Sequence, residues 1–416
     1  MEKKLFILVA YSLFIIGSTF SAVRNNIIKT DFKLAEIQYD KMLTVATDYT
    51  KYPRSIHSNG NVGYTSIKDW TGGFWPGCLW YVYEFSKDES WKSAAIKWTE
   101  SLEKNQYNTS HHDIGFMMYC SYGNAYRLTG KESYKSILIQ SAKSLITRYD
   151  SIVGAIKSWD SFKSWDGKSI YKFPVIIDNM MNLELLFFAS KVTGDSVYRD
   201  IAVRHAETTL KNHFRSDMSC YHVVNYDPKT GKVLSRETVQ GFSDNSAWAR
   251  GQSWAVYGFT MVYRETKNPI FLQAALKMAD YYINNKNIPK DKIPYWDYNV
   301  GQQGYVPNWK YDPDRFKVVP RDASAASITC SALLELSTYV KGNQNVKLFG
   351  AAEKILKSLS SDKYRAKEGT NGFFVLKHST GSLPHNSEID VPLVYADYYF
   401  LEALLRYNKL KNNSHL

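Results

Sequence analysis

The sequence of 416 residues predicts an all-α fold, an (α/α)6 barrel in which six helical hairpins close into a ring. Helical periodicity fills the chain from Asp31 to Tyr407, and period-two alternation is nowhere sustained. A short sequence pattern also recurs between helices. One helix ends in an aromatic residue, a polar turn follows, and a second aromatic residue opens the next helix. This repeat predicts helical hairpins as the building unit.

The sequence contains five copies of this pattern, although the third lacks its first aromatic residue. They run from Tyr83 to Trp91, Tyr126 to Tyr134, Ser190 to Tyr198, Tyr263 to Phe271 and Tyr339 to Phe349. Gly130, Gly194 and Gly342 suit the left-handed residue that commonly ends a helix. The helices at residues 31–46 and 391–406 remain unpaired in sequence, and joining them closes the sixth hairpin.

The two helices of each hairpin differ in their apolar patterns. The first is apolar nearly all round, as from Leu183 to Ala189, and is predicted to be buried. The second is one-sided, as in the helix with Ile201, Ala202 and Leu210, and is predicted to face water. We therefore expect an inner ring of buried helices inside an outer amphipathic ring, because each hairpin can bury its apolar face only against its neighbours.

The N-terminus has the pattern of a secretory signal peptide. A start with two lysines precedes an apolar stretch from Leu5 to Gly17, and small residues follow. The apolar run is too short to cross a bilayer comfortably. We expect a leader at residues 1–22, a single barrel domain at residues 23–416, and a secreted or periplasmic protein.

The formal net charge of +12 leaves nucleic acid, an anionic membrane or an anionic sugar as candidate partners. Export argues against nucleic acid. No other apolar run is long enough to span a membrane, and the scattered Lys and Arg residues are explained mostly as a solvated basic surface, so no membrane partner is expected. Eleven Trp and 31 Tyr favour a sugar, because aromatic faces stack on the apolar faces of sugar rings. An oligosaccharide is the expected partner, and the chain is expected to be a monomer or a weak homo-oligomer.

The sequence indicates neither a metal nor a cofactor. The four cysteines are widely spaced and form no Cys-x-x-Cys pair: Cys78, Cys120, Cys220 and Cys330. Each is expected to be a small buried residue. Asp113 beside His111 and His112 could hold a metal, but no second cluster at ligand spacing supports this interpretation.

The predicted inner helices begin with polar residues before they become apolar. These starts are His112-Asp113, Asp178-Asn179, Arg250-Gly251-Gln252 and Arg321-Asp322. In the predicted ring they share one mouth, where helix N-termini favour an anionic ligand. Long loops rich in Trp, Tyr, Gly and Asp gather at the same mouth, at residues 151–175, 215–247 and 286–319.

Asp113 and Asp178 are the candidate carboxylates for acid/base catalysis. Helix capping is the alternative, since aspartate is a favoured N-cap residue. Asp178 lies between the apolar residues 173–177 and 180–181. Such surroundings desolvate a carboxylate and raise its pKa, which suits a proton donor.

A second set of candidates is His222, Gln240, Arg250 and Trp254. Trp254 follows Arg250 by one helical turn, so both side chains can point to the same side. Arginine suits a two-pronged contact with a carboxylate. The alternative is that Arg250 pairs with Asp244 and that Trp254 lies in the core. Four loop tryptophans also have two interpretations, since each could stack on a sugar or pack in the core: Trp70, Trp75, Trp159 and Trp165.

Seven motifs together resemble glycoside hydrolase family 88, the unsaturated glucuronyl hydrolases, in their order and spacing. They are WTGGFWPG at 70–77, HDIGF at 112–116, DNMMN at 178–182, WARGQSW at 248–254, PYWD at 294–297, RDASAA at 321–326 and YADYYFLEAL at 395–404. Each motif alone is weak, but seven in order are specific and cover almost the whole mature chain. The (α/α)6 barrel of that family agrees with the hairpin count.

The resemblance implies a hydrolase that hydrates the C4=C5 double bond of a terminal unsaturated uronate, after which the glycosidic bond falls apart. Asp178 would protonate C4 and then activate water for attack at C5. Asp113 would orient it and raise its pKa. The implied partner is an unsaturated uronic-acid oligosaccharide from a polysaccharide lyase. The implied residues around it are His112, His222, Gln240, Arg250 and Trp254, with Trp70 and Trp165 as stacking surfaces.

Ser379 and Ser382 resemble a Ser-x-x-Ser-x-Lys pattern that accompanies a preference for sulfated chains in some members of the family. Pro384 replaces the lysine, so a preference for sulfated disaccharides does not follow. Lys377 and His378 are the candidate substitutes for that cation.

Three alternatives stay open at this point. The related family 105 has the same fold and acts on unsaturated rhamnogalacturonan fragments. A toroidal polysaccharide lyase would create the double bond that a hydrolase removes. A non-catalytic sugar-binding protein would use Asp113 and Asp178 only as helix caps.

Overall fold

The computed structural model describes residues 27–165, 167, 170–412, 414 and 416. The predicted leader at residues 1–22 lies outside the described residues. A π-helix, Gly115–Gly123, leads directly into the fourth of the α-helices. The α-helices are α1 (27–45), α2 (Phe74–Ser86), α3 (Glu89–Glu100), α4 (Asn124–Thr129), α5 (Glu132–Ile146), α6 (Leu183–Thr193), α7 (Ser196–Asn212), α8 (Ala249–Thr266), α9 (Pro269–Asn284), α10 (Ala323–Ser337), α11 (Gly342–Leu359) and α12 (Val394–Lys411).

These helices form two concentric rings, which confirms the predicted six-hairpin barrel. The inner ring runs from α2 through the π-helix, α6, α8 and α10 to α12, which packs back on α2. The first helix, α1, lies outside this closure: the Tyr39 hydroxyl donates to Asp397 at 3.1 Å, and Phe32 stacks on Phe85. Every residue of inner helix α10 is buried. Outer helix α11 buries one face, formed by Leu348, Ala352, Ile355, Leu356 and Leu359.

Left-handed residues end several inner helices, but they are not always glycine. Gly130 and Gly194 end α4 and α6 as predicted, with φ of 67° and 76°. Lys87 and Lys267 adopt the same conformation after α2 and α8. Gly342 is left-handed as predicted, with a φ of 61°, but it does not end a helix, because α10 ends at Ser337 and Gly342 opens α11.

Short antiparallel strands occupy the loops of the mouth, where the sequence predicts loops alone. They are β1 (Lys51–Ile56), β2 (Val62–Ser66), β3 (Tyr149–Asp150), β4 (Ala155–Ile156), β5 (Phe162–Lys163), β6 (Ile170–Tyr171), β7 (Pro174–Ile176), β8 (Val223–Tyr226), β9 (Val233–Glu237), β10 (Ser379–Ser382) and β11 (Ser387–Val391). Each lies between the end of an outer helix and the start of the next inner helix. Strands β7, β8 and β9 form one sheet, so the segment before Asp178 pairs with the segment after His222.

All four cysteines are buried and carry free thiols, as the sequence predicts. Within the described ranges, no helix combines the length and the apolar character that a membrane span needs. The hydrophobic core lies within and between the two helical rings. The loops and their short strands lie at the mouth, where they can form a site.

Candidate active site

The two candidate carboxylates lie at the starts of neighbouring inner helices. Asp113 precedes the π-helix, and Asp178 lies in a 3₁₀ turn, Ile177–Asn182, that leads into α6. Gly115 permits the close approach of these two segments, because a Cβ atom there would lie 2.4 Å from the Asn182 Cα atom. Neither helix start has a side-chain cap, so capping does not describe these aspartates.

Two histidines flank the Asp113 carboxylate. His112 Nε2 lies 3.1 Å from Oδ1, and His111 Nδ1 lies 3.3 Å from Oδ2. Burial alone would raise the pKa of Asp113, but the attraction of the two histidines outweighs burial and holds that pKa well below its ordinary value. Asp113 is therefore a carboxylate at neutral and mildly acidic pH.

Asp178 has the opposite balance. Burial raises its pKa to about 6, while His112 and Arg250 oppose the rise and the negative charge of Asp113 adds to it. Its Oδ2 atom is buried without a hydrogen-bond partner in the described protein and lies 3.7 Å from His222 Nε2. A carboxyl group with this pKa and a free oxygen can both give and take a proton near neutral pH.

A raised pKa alone does not single out Asp178. Burial also raises the pKa of Asp297 to about 6 and that of Asp397 to about 7. Both oxygens of each of these carboxylates, however, accept hydrogen bonds from backbone amides or hydroxyl groups. They hold loops in place, whereas Asp178 has an oxygen available for a ligand.

His222 is held as a neutral hydrogen-bond donor beside Asp178. Its Nδ1 accepts the backbone amides of Val239 at 3.0 Å and Gln240 at 3.2 Å, so the ring proton is on Nε2. Burial keeps the pKa of His222 well below its ordinary value, and its ring packs on Trp248. The sequence predicts His222 and Gln240 as members of one site. In the structure the contact between them is the hydrogen bond from the Gln240 backbone amide to His222 Nδ1.

Arg250 is buried and anchored within the protein. Its Nη1 lies 3.0 Å from Asp322 Oδ2 and donates to the Thr380 carbonyl, while Nη2 donates to the Gly381 carbonyl at 2.6 Å. The alternative of pairing with Asp244 is wrong, since Asp322 supplies the carboxylate. Arg250 thus fixes strand β10 at the mouth and places a positive charge near Asp178.

The tryptophans divide between core and mouth. Trp254 and Trp75 are fully buried, and the Trp254 ring packs on Phe116, as the packing interpretation predicts. Trp70 is half-buried and lies 5.0 Å from the Tyr395 ring. Part of its surface therefore remains exposed at the mouth.

A histidine that the sequence analysis missed lies between Trp165 and strand β10. The His385 ring is 4.6 Å from the half-buried Trp165 ring, and its Nδ1 lies 2.6 Å from Ser382 Oγ. Ser379 Oγ is buried without a hydrogen-bond partner in the described protein. The one signal in the sequence is the position of His385 directly after Pro384, next to the place where the related pattern has lysine.

The two candidate substitutes for that lysine make other contacts. Lys377 Nζ donates to the Asp362 carbonyl at 2.7 Å, and His378 pairs with Asp390 at 2.6 Å. Both contacts are solvent-exposed. His385 is therefore the titratable residue in contact with Ser382.

Seven of the buried polar atoms that have no hydrogen-bond partner among the described residues belong to predicted site residues. Those of the predicted site residues are Asp178 Oδ2, His222 Nε2, His112 Nε2, Arg250 Nε, Trp254 Nε1, Trp165 Nε1 and Ser379 Oγ. Folded proteins satisfy nearly all buried polar groups, so these atoms are available to a polar ligand. Most of these atoms are donors, which suits a ligand rich in hydroxyl and carboxylate oxygens.

The mouth of the barrel holds the titratable carboxyl group of Asp178 among hydrogen-bond donors and aromatic rings. This arrangement is typical of a carbohydrate-processing enzyme that works by acid/base catalysis. The model of the family described as Glycosyl Hydrolase Family 88 matches residues 43–287. The chain belongs to glycoside hydrolase family 88 and is a glycoside hydrolase, which confirms the prediction from the seven motifs.

Relatives of known name match this chain over most of its length. An unsaturated glucuronyl hydrolase of Formosa agariphila is 44% identical over 414 residues, which cover 96% of this chain and 98% of the relative. An unsaturated chondroitin disaccharide hydrolase of Streptococcus pyogenes serotype M1 is 33% identical over 377 residues, 89% of each chain. A crystal structure of an unsaturated glucuronyl hydrolase specific for heparin has 48% sequence identity and a TM-score of 0.85, and covers 93% of this chain and 98% of its own.

Proposed function

We propose that this hydrolase removes terminal 4,5-unsaturated uronyl residues from the glycosaminoglycan disaccharides that polysaccharide lyases release. The observation that carries the proposal is Asp178, a buried carboxyl group with a free oxygen and a pKa near 6. Such a group can protonate an enol ether and then accept a proton from water within one catalytic cycle.

The reaction begins with Asp178 protonated. Its proton passes to C4 of the substrate, the double bond is lost, and positive charge develops at C5 and the ring oxygen. Water then adds to C5 as the Asp178 carboxylate takes one of its protons, and the His222 Nε2–H group orients the water or the sugar. The product is a hemiketal, which opens to release the second sugar and a keto sugar acid.

The choice of glycosaminoglycan disaccharides as substrates is supported by the relatives and by the site. The Streptococcus pyogenes relative is named for unsaturated chondroitin disaccharides, and one similar structure is that of an enzyme specific for heparin. In this chain the mouth presents helix N-termini and the cation of Arg250, both of which favour an anionic sugar.

The test is a spectrophotometric assay with unsaturated disaccharides from chondroitin, hyaluronan, heparin and rhamnogalacturonan. Hydration removes the conjugated uronate, so its ultraviolet absorbance is expected to fall with a glycosaminoglycan disaccharide. A fall with the rhamnogalacturonan disaccharide alone would move the substrate to that class. A rise on intact polymer would instead reveal a lyase, and constant absorbance with every sugar would contradict the proposal.

The pH dependence of kcat/KM is expected to show an alkaline limb near pH 6. Catalysis starts from protonated Asp178, whose pKa is about 6, so each pH unit above that value lowers the active fraction about tenfold. The measurement is kcat/KM between pH 4.5 and pH 8 at constant ionic strength. A flat profile up to pH 8 would show that the group that starts the reaction is not a carboxyl group with this pKa.

We infer that the protein is exported to the periplasm or secreted. The support is the pattern of residues 1–22, which begins with two lysines and continues with an apolar stretch from Leu5 to Gly17. Expression of the full chain with a C-terminal tag is expected to yield, in the periplasm or medium, a protein whose N-terminus lies near Val23. Recovery from the cytoplasm with an intact N-terminus would contradict export.

A further inference from the structure

Arg54 lies at a β-bulge in strand β1. The pairing of β1 with β2 shifts register between Pro53 and Ser55, so Arg54 is the extra residue of β1. Such a bulge bends a strand and changes the direction of a side chain. The Arg54 side chain is mostly buried, with 23% of its surface exposed. The bulge therefore places a cation against the neighbouring segments of the chain.

The guanidinium group of Arg54 holds carboxylates from two different segments. Its Nε and Nη2 atoms donate to the two oxygens of Glu388, at 2.6 and 2.9 Å. Its Nη1 atom donates to Asp69 Oδ2 at 2.5 Å. Glu388 belongs to strand β11, and Asp69 lies in the loop before α2. Because a two-pronged contact fixes direction as well as distance, Arg54 ties this loop to β11 in one arrangement.

The Asp69 end of this contact bears on Trp70. The second oxygen of Asp69, Oδ1, accepts the Thr71 amide at 2.9 Å and the Thr71 hydroxyl at 2.6 Å. These bonds close a turn with Trp70 at its centre, and the Trp70 ring lies 5.0 Å from the Tyr395 ring. The position of Trp70 at the mouth thus depends on an aspartate that Arg54 holds.

The Glu388 end belongs to a strained hairpin, formed by β10 and β11 at residues 379–391. Asn386, Glu388 and Asp390 are left-handed, with φ of 53°, 53° and 57°. This conformation is unfavourable for residues other than glycine and persists only where the surroundings hold it. The side chains that hold these three residues are Arg315, Arg54 and His378, in that order. The shape of the hairpin therefore depends on these side-chain contacts.

The same hairpin carries predicted substrate residues. Ser379 and Ser382 lie in β10, and the Gly381 carbonyl between them accepts from Arg250 at 2.6 Å. The Glu388 carboxylate packs on Gly381, where a Cβ atom would lie 2.6 Å from Glu388 Oε2. The hairpin is thus held by Arg250 through the backbone of β10 and by Arg54 through Glu388 of β11.

We propose that Arg54 is a positioning residue, which sets the spacing between Trp70 and the β10–β11 hairpin and thereby the affinity for the disaccharide. Segments that are tied to one guanidinium group are already ordered, so less conformational freedom is lost when the sugar binds. This inference rests on the proposed function, because Trp70, Ser379 and Ser382 are residues expected around the substrate.

Replacement of Arg54 with methionine keeps much of the side-chain length and removes both ion pairs. In Arg54→Met, KM is expected to rise about tenfold, because the hairpin and the Trp70 turn must be ordered on binding. The value of kcat is expected to stay within about twofold, since Arg250 keeps its contact with Asp322 beside Asp178. An unchanged KM, or a loss confined to kcat, would overturn the proposal.

Glu388→Gln tests the same link from its other end and with a milder change. It is expected to raise KM in the same direction as Arg54→Met. Because both residues act through one contact, the double variant is expected to raise KM no further than Arg54→Met alone. Rises in KM that multiply in the double variant would show that the two residues act separately and would overturn the proposal.

Arg264 provides the matched control. With 26% of its side chain exposed, it also joins two segments through carboxylates, Glu184 and Glu335, but at the opposite end of helix α8 from Arg250. Arg264→Met is expected to lower Tm and to leave KM unchanged, because the loss of a buried ion pair destabilises the fold without moving the mouth. An equal rise in KM in both arginine variants would reduce Arg54 to a structural residue.

Hydrogen exchange measures the positioning without an assay of activity. The backbone amides of residues 387–391 are expected to exchange faster in Arg54→Met than in the wild type, and at the wild-type rate in Arg264→Met. Unchanged exchange of this strand in Arg54→Met would overturn the proposal. If the wild type hydrolysed no unsaturated disaccharide, the proposed function would fail, while hydrogen exchange would still decide whether Arg54 holds the hairpin.

Discussion

Replacement of Asp178 with asparagine is expected to lower kcat by a factor of about 10³ to 10⁴, because the amide can neither protonate C4 nor accept a proton from water. Asparagine has nearly the size of the protonated carboxyl group, so binding of the disaccharide is expected to persist. The measurement is the rate of absorbance loss, together with the Kd of the variant from calorimetry. A variant that keeps a tenth of the activity would exclude Asp178 as the proton donor.

Asp297 provides the matched control for this variant. Burial raises its pKa to about 6 as well, but both of its oxygens accept hydrogen bonds within the protein. Asp297→Asn is expected to lower Tm, because a buried acceptor is replaced by an amide donor. The folded fraction is expected to keep its kcat. Together the two variants separate a catalytic carboxyl group from a structural one with a similar pKa.

The same Asp178→Asn variant is expected to be more stable than the wild type above pH 6. Burial raises the pKa of Asp178 from 3.8 to about 6, so the folded protein holds this proton more tightly than the unfolded chain. The wild type therefore loses stability between about pH 4 and pH 6, on the order of 2 to 3 kcal/mol, and the variant does not. Urea unfolding at pH 4 and pH 8 measures the difference. Equal pH dependence in both proteins would contradict the raised pKa.

Replacement of Asp113 with asparagine is expected to lower kcat/KM at pH 7 by at least about tenfold and to shift the alkaline limb to lower pH. The Asp113 carboxylate contributes to the raised pKa of Asp178. Without that negative charge Asp178 ionises more easily, so a smaller fraction is protonated at pH 7. The pH profile of the variant, compared with that of the wild type, gives both quantities.

Asp160 supplies the control for the loss of a negative charge in the neighbouring loop. Its exposed carboxylate lies 3.1 Å from Arg148 Nη2. Asp160→Asn is expected to leave the limb unchanged, since exposed pairs are screened by water and salt. If Asp113→Asn lowered the rate equally at every pH, Asp113 would act through orientation alone.

Local patterns were sufficient for the architecture. Periodic apolar residues and recurring turns depend on neighbours within one or two helical turns, so they reveal the six hairpins and the inner and outer rings from the sequence. The apolar neighbours of Asp178 in sequence also predict that its pKa is raised, and burial is the largest cause in the structure. The short strands at the mouth were missed, since a short strand leaves too few residues for alternation to appear.

The tertiary structure alone decided which polar groups meet. Residues far apart in sequence form the contacts of Asp178 with His222 and of Arg250 with Asp322, and His385 reaches Trp165 across two loops. The identity of a hydrogen-bond partner depends on side-chain direction at distances of about 3 Å, which no periodicity encodes. The sequence by itself determined the barrel and the family, because helical periodicity and the order of the seven motifs are read along the chain, and it singled out Asp113 and Asp178 as candidates. The folded chain decided that Asp178 keeps an oxygen without a partner among the described residues, whereas Asp297 and Asp397 do not, because this depends on contacts between segments far apart in sequence.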